Sequence, residues 1–249
     1  MPLEYIIEVA TADFSTTQTA VAGGAHRIEL CAALSDGGTT PSYGTIKKCR
    51  EAFDTELFPM IRTRSGDFLY GPEEFHIMLE EVRMCRELGC DGVVVGLLRK
   101  DGSIDTDRIA KLVEAAYPME VTFHRAFDRC RHPFEAIEAL IQIGCQRLLT
   151  SGQQKTAPEG VALIAELVSV ANQRIIVMPG SGVRPDNIRT LAEQTGATEF
   201  HSSLRSTLES SMEFRHASFS GEESYRNPNI DSSAVAALLK QLEGLQPRL

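Results

Sequence analysis

Short apolar runs and longer amphipathic stretches take turns along this chain. The runs at residues 4–10, 25–31, 57–64, 92–98, 147–151, 174–178 and 198–203 are rich in Val, Ile, Leu and Phe and read as strands. The run at 92–98 shows no polar alternation, as expected of a parallel strand buried on both faces. A further strand opens the stretch 121–128 and ends in His124, Arg125 and Asp128. Between strands the spacing turns helical. Ser15 with Gln18 predicts a capping box for a helix that stops at Gly23-Gly24, and Ser42 predicts the start of the next. Pro72 opens a long helix with apolar positions at Phe75, Met78, Leu79, Val82 and Leu88, stopped at Gly89. Asp105 caps a helix, Pro133 starts one that ends at Gly144, and Thr156 with Glu159 boxes another. Pro185 starts a helix that ends at Gly196, and a last one runs over 231–243 after a polar stretch at 205–229.

Eight strands and eight helices in strict alternation predict a (β/α)₈ TIM barrel, with a doubly wound open sheet as the alternative. The units share a seam: helix end, Gly, two residues, strand. It recurs at Gly24-Ala25-His26, Gly89-Cys90-Asp91, Gly144-Cys145-Gln146 and Gly196-Ala197-Thr198. With no linker or low-complexity tract, residues 1–249 are expected to form a single domain.

Composition narrows the function classes. The net charge of −9 and the lack of a basic run argue against a nucleic-acid partner. No apolar stretch approaches the roughly 20 residues that span a bilayer, and Glu4 and Glu8 spoil a signal-peptide pattern. A soluble, cytoplasmic protein without a membrane partner is expected. Cys31, Cys49, Cys85, Cys90, Cys130 and Cys145 form no Cys-x-x-Cys pair and are expected to be reduced.

Barrel strands alternate inward and outward, and barrel active sites lie at the C-terminal strand ends. On that parity one face carries Ile6, Glu8 and Ala10, another Arg27, Glu29 and Cys31, another Met60, Arg62 and Arg64. Thr122, His124 and Ala126 share a face, as do Glu199, His201 and Ser203. If these faces point inward, Glu8, Glu29, Arg62, Arg64, His124 and His201 meet at the mouth. Two readings follow: an ion network that plugs the barrel, or a site for a polar ligand. His124 can move a proton near neutral pH, Arg125 can hold an anion, and Asp128 can orient or ligate. Gly180-Ser181-Gly182, Ser202-Ser203 and Thr150-Ser151-Gly152 follow strands seven, eight and six. The loops after strands seven and eight are a recurrent phosphate site of this fold, so Ser151, Gly180, Gly182 and Ser202 are candidate ligand-binding positions.

Taken together, Glu29-Leu30-Cys31, Gly37-Gly38-Thr39-Thr40-Pro41-Ser42, Met60-Ile61-Arg62, Gly66-Asp67-Phe68, the run Thr122 to Asp128, Leu149-Thr150-Ser151-Gly152 and Phe200-His201-Ser202-Ser203 resemble the CutC family, named for copper homeostasis. The resemblance implies a cytosolic barrel, a homo-oligomer, copper binding and no organic cofactor. It also implies copper ligands at two cysteines, one ending each of the first two strands. Cys31 matches the second, while Ala10 stands at the first; Thr63 and Ser65 flank Arg64 where Pro and Gly are common. Cu(I) favours soft ligands such as a thiolate pair, and here one of the pair is missing.

Two functions compete on these grounds. One is a role in copper homeostasis with copper bound at Cys31. The other is an enzyme acting on a small anionic metabolite, phosphorylated ones included. In the second, Glu8 or Glu29 is the general base, His124 the acid or electrophile, Arg62 and Arg64 the anion clamps, and the Gly180–Gly182 turn with Ser202 a phosphate cradle. A third reading makes the barrel a binding protein, with residues 205–229 covering the mouth or reaching a partner through Tyr225-Arg226-Asn227-Pro228.

Overall fold

In the computed structural model, which describes residues 5–219 and 225–246, strand and helix alternate around a parallel barrel. The first half runs β1 (Ile6–Thr11), α1 (Phe14–Ala22), β2 (Arg27–Leu30), α2 (Tyr43–Ala52), β3 (Glu56–Pro59), α3 (Pro72–Glu87), β4 (Gly92–Val95) and α4 (Thr106–Ala116). The second half runs β5 (Glu120–Phe123), α5 (Pro133–Ile143), β6 (Arg147–Thr150), α6 (Val161–Ala171), β7 (Ile176–Pro179), α7 (Ile188–Thr195) and β8 (Glu199–Ser202). An antiparallel ribbon of β9 (Arg205–Glu209) and β10 (Arg226–Ile230) follows, then α8 (Ser232–Leu242).

The ladders group as β3-β2-β1-β8 and β4-β5-β6-β7. The two groups join where Met60 bridges Val94 and the Ile61 amide donates to the Val94 carbonyl at 2.8 Å. At the other seam β7 lies beside β8, and the Ser202 hydroxyl donates to the Val183 carbonyl at 2.7 Å. Outward residues such as Ile7, Val9, Ile28, Leu30, Val93 and Val121 are fully buried under the helices. Each such aliphatic side chain contributes about 1.5–3 kcal/mol by leaving water. Among the described residues no helix is long and apolar enough to cross a membrane.

The eight βα units stand as the periodicity predicts, but several boundaries move. α1 is capped by Asp13, not Ser15: its carboxylate accepts from the Thr16 amide at 2.8 Å, and the Thr16 hydroxyl accepts from the Asp13 amide at 3.1 Å. β1 runs to Thr11, so the chain must turn at once and the earlier cap wins. α6 begins at Val161 rather than near Thr156, because residues 156–160 form turns instead of helix. α7 begins at Ile188 rather than Pro185; Asn187 accepts from the Arg184 amide and closes a turn first. β3 and β4 stop short of the expected 64 and 98 as the chain leaves the barrel for the mouth. The polar segment expected at 205–229 begins and ends in the β9–β10 ribbon, in which Arg226 lies opposite Glu209 and Ile230 opposite Arg205. Pro228 sits on this two-stranded ribbon, where its missing amide is tolerated. Residue 4 of the expected first strand and residues 220–224 of the polar segment lie outside the described residues.

The lower barrel is closed by ions and one ring. Arg27 donates to Glu199 at 2.6 Å and to Glu56 at 2.9 Å, while Arg147 donates to the same Glu199 oxygen at 2.8 Å and pairs with Glu120. Both guanidiniums stack on Phe58, at 5.0 and 5.4 Å from its centroid. Gly92 makes room for that ring, since a Cβ there would overlap Phe58. Arg27 and Glu199, read from parity alone as neighbours of the mouth residues, thus form a plug beneath them.

Candidate functional site

Above the plug the barrel opens into a cavity of about 570 Å³ at the C-terminal strand ends. Its wall carries Arg62, Arg125, Arg184, Arg205, His124 and His201, and among the described residues that line it Glu29 is the only carboxylate. The lining is strongly cationic in a chain whose net charge is −9.

Arg62 follows β3 and is 4% exposed. Its terminal nitrogens donate to the carbonyls of Asp36 at 3.1 Å, Gly38 at 2.9 Å and Gly66 at 2.9 Å. These bonds hold the guanidinium rigidly without neutralising it, since among the described residues no carboxylate forms an ion pair with it and its Nε has no acceptor. Its face lies 5.0 Å from the Phe68 centroid, and Phe68 in turn lies 4.9 Å from the His124 ring.

His124 follows β5 and heads a 3₁₀ turn over Arg125–Arg129. Its Nδ1 accepts from the Ala126 amide at 3.1 Å, which fixes the proton on Nε2. Burial first, and the Arg62 charge second, push its pKa down to about 3. At neutral pH it is therefore a neutral N–H donor, and that buried Nε2 has no acceptor among the described residues. Gly96 permits the ring to sit here, because a Cβ at that position would overlap it.

The floor is built by register. Glu8 on β1 lies opposite His201 on β8, and Glu29 on β2 lies opposite Ala10. Glu8 Oε1 bonds His201 Nδ1 at 2.7 Å, and His201 Nε2 stands 3.9 Å from Glu29 Oε2. Glu8 is fully buried below the cavity, with Arg27 at 3.6 Å. Burial would raise the Glu8 carboxyl, but the His201 bond and the charges of His201, Arg27 and Arg147 hold it below its usual range. Burial raises Glu29, and the Glu8 charge adds to this. For His201 burial opposes the imidazolium, yet Glu29 and Glu8 on its two sides keep its pKa above the ordinary value. The Cys31 thiol is fully buried and donates to Glu29 Oε2 at 3.5 Å; burial and Glu29 push it well above the ordinary thiol range.

The other expected residues divide. Arg125 lines the cavity, with its Nε on Asp128 at 2.8 Å and a terminal nitrogen on the Ser151 hydroxyl at 2.8 Å. Asp128 does not line it; the carboxylate accepts from Thr150 at 2.6 Å and from the amides of Ser151 and Gln153 at 3.0 and 3.2 Å, and so sets the loop after β6. Ser151 is spent in that knot. Gly180 donates its amide to the Thr150 carbonyl at 2.9 Å and stays outside the lining. Gly182 and Ser202 line the cavity, although the Ser202 hydroxyl is committed to Val183. Arg64 turns away to the surface, on Glu74 at 2.6 Å and Asp67 at 3.1 Å.

Arg184 is not among the residues picked out by the strand-end rule, Phe68 enters the sequence reading only through the Gly66-Asp67-Phe68 motif, and Arg205 only as the start of the polar segment at 205–229. Arg205 opens β9, three residues past the end of β8 and four past His201, just beyond the reach of the strand-end rule. Arg184 lies in the loop after β7, two residues beyond Gly182.

The sequence model of the CutC family matches residues 5–206. A CutC protein of Parabacteroides distasonis is 51% identical over 215 residues, 86% of this chain and 88% of that protein. The human copper homeostasis protein cutC homolog is 44% identical over 214 residues, 86% of this chain and 78% of that one. A crystal structure of a Streptococcus agalactiae protein described as copper homeostasis protein CutC superposes with a TM-score of 0.77 at 32% identity, covering 80% of this chain and 98% of that one.

Proposed function

The chain belongs to the CutC family, and on that premise we propose that it takes part in copper homeostasis through the mouth cavity, which binds a small anionic molecule and exchanges a proton with it. One observation carries this reading: Arg62 is a buried cation that faces the cavity, held by three carbonyls and with no carboxylate partner among the described residues. Leaving a buried ion uncompensated costs several kcal/mol, and an anion arriving in the cavity offsets that cost. His124 offers a neutral N–H to the same anion, as an electrophile and not as an acid. Arg125, Arg184 and Arg205 add charge around the rim. On the floor Glu29, with its raised pKa beside His201, is placed to give or take a proton.

The residues present do not build a two-thiolate Cu(I) site at the ends of β1 and β2. Ala10 supplies no donor, and the Cys31 thiol is buried, protonated and turned to Glu29. No step is therefore routed through copper at Cys31. The test is growth under copper stress in cells lacking their own CutC protein. The parent and Cys31→Ser are expected to restore tolerance equally, and Arg62→Met to fail. Failure of Cys31→Ser alongside full rescue by Arg62→Met would contradict the reading.

A further inference from the structure

Two buried ionisable groups face the mouth without a fixed-charge partner of opposite sign among the described residues, His201 being the titratable neighbour of the second. Arg62 is one, and it suits an anion. Glu29 is the other. It is 4% exposed, no Lys or Arg of the described residues pairs with it, and its Oε1 has no hydrogen-bond partner among them. Its neighbour Glu8 carries a second unpartnered oxygen, Oε2, with only a loose 3.6 Å contact to Arg27.

We propose that Glu29 and His201, with Glu8 behind them, seat a divalent cation of the zinc or manganese class on the cavity floor. Glu8, Glu29 and His201 each offer a ligand atom, and these atoms lie within 4.8 Å of one another. The 3.9 Å from His201 Nε2 to Glu29 Oε2 is too long for a hydrogen bond. Bonds of about 2.0–2.2 Å from one ion to a nitrogen and an oxygen span such a gap. Glu8 holds Nδ1 of the same imidazole at 2.7 Å, the carboxylate–histidine arrangement that orients a metal-bound ring. Ala10, opposite Glu29, presents only a methyl to the cavity and leaves space for further ligands. A carboxylate and an imidazole, oriented by a second carboxylate, suit borderline and hard divalent ions, not Cu(I). The inference rests on the reading of the mouth as a ligand site and deepens it: the cation answers Glu29, the anion answers Arg62, and the two ligands neutralise each other between them.

The experiment is calorimetric titration of the metal-free protein with Zn²⁺ and with Mn²⁺. One equivalent is expected to bind the parent, and Glu29→Gln, His201→Gln and Glu8→Gln are each expected to weaken binding by about 10- to 100-fold. Cys31→Ser is expected to stay within threefold. Because a buried variant can fail to fold, X-ray absorption of the zinc-loaded parent gives a second readout. A shell of nitrogen and oxygen alone is expected, and a sulfur at about 2.3 Å overturns the donor assignment. Equal affinity in the parent and Glu29→Gln overturns the site. Phosphate titrated separately keeps the two readings apart: zinc binding without a phosphate response sinks the anion reading alone, and the converse sinks the cation site alone.

Discussion

The lower barrel and the mouth are made of the same residue types and behave in opposite ways. Below, Glu199 sits between Arg27 and Arg147, the guanidiniums stack on Phe58, and Glu56 and Glu120 complete the network from the rim. Above, among the described residues, Arg62 meets carbonyls and the Phe68 ring but no carboxylate, Glu29 keeps a bare oxygen, and His124 keeps a bare N–H. Both layers are buried, so burial does not separate them. Pairing does. A satisfied network fills and fixes the barrel, while unmatched charges beside a cavity leave room for a ligand.

The largest effect should come from breaking the plug. Glu199→Ala leaves two buried guanidiniums facing each other. It is expected to lower stability by about 3–5 kcal/mol, read as a reduced midpoint in urea. A loss below about 1 kcal/mol would mean that the lower network is not the stabilising half of the comparison.

His124 sharpens the contrast through pH. Its pKa is about 3 in the folded protein, below the ordinary 6.5. Between these values the unfolded chain binds a proton that the folded one does not. Stability is therefore fully present above about pH 6.5 and falls as pH drops toward 3, with about 2 kcal/mol lost by pH 5 through this residue alone. Denaturation of the parent and His124→Asn at pH 5 and pH 7.5 should show that difference only in the parent. Equal slopes would place His124 in a more solvated setting than its burial implies.

Much of this contrast was legible from residue order. Strand parity brought Glu8, Glu29, Arg62, His124 and His201 to one end of the barrel, because the side-chain period of a strand is fixed. Parity could not separate layers. Arg27 and Glu199 share faces with Glu29 and His201, yet lie two residues lower, where pairing replaces openness. It also could not say which way a side chain turns once its strand has ended. Arg64 is two residues beyond Arg62, but Glu74 at the start of α3 and Asp67 draw it to the surface. Cap selection failed for a similar reason: Ser15 fits the local pattern, while Asp13 fits the point at which β1 releases the chain. The ribbon of β9 and β10 escaped notice because its strands are polar and mostly exposed, without the alternation that marks a half-buried strand.

The most direct test of the claim that unmatched charge marks the site is a phosphate titration of the parent, Arg62→Met and Arg64→Ala, followed by calorimetry. Saturable binding is expected in the parent, unchanged in Arg64→Ala and weaker by tenfold or more in Arg62→Met, the loss of about 1.4 kcal/mol or more that a charge-assisted contact represents. Binding that survives Arg62→Met, or that falls equally in Arg64→Ala, would contradict the account.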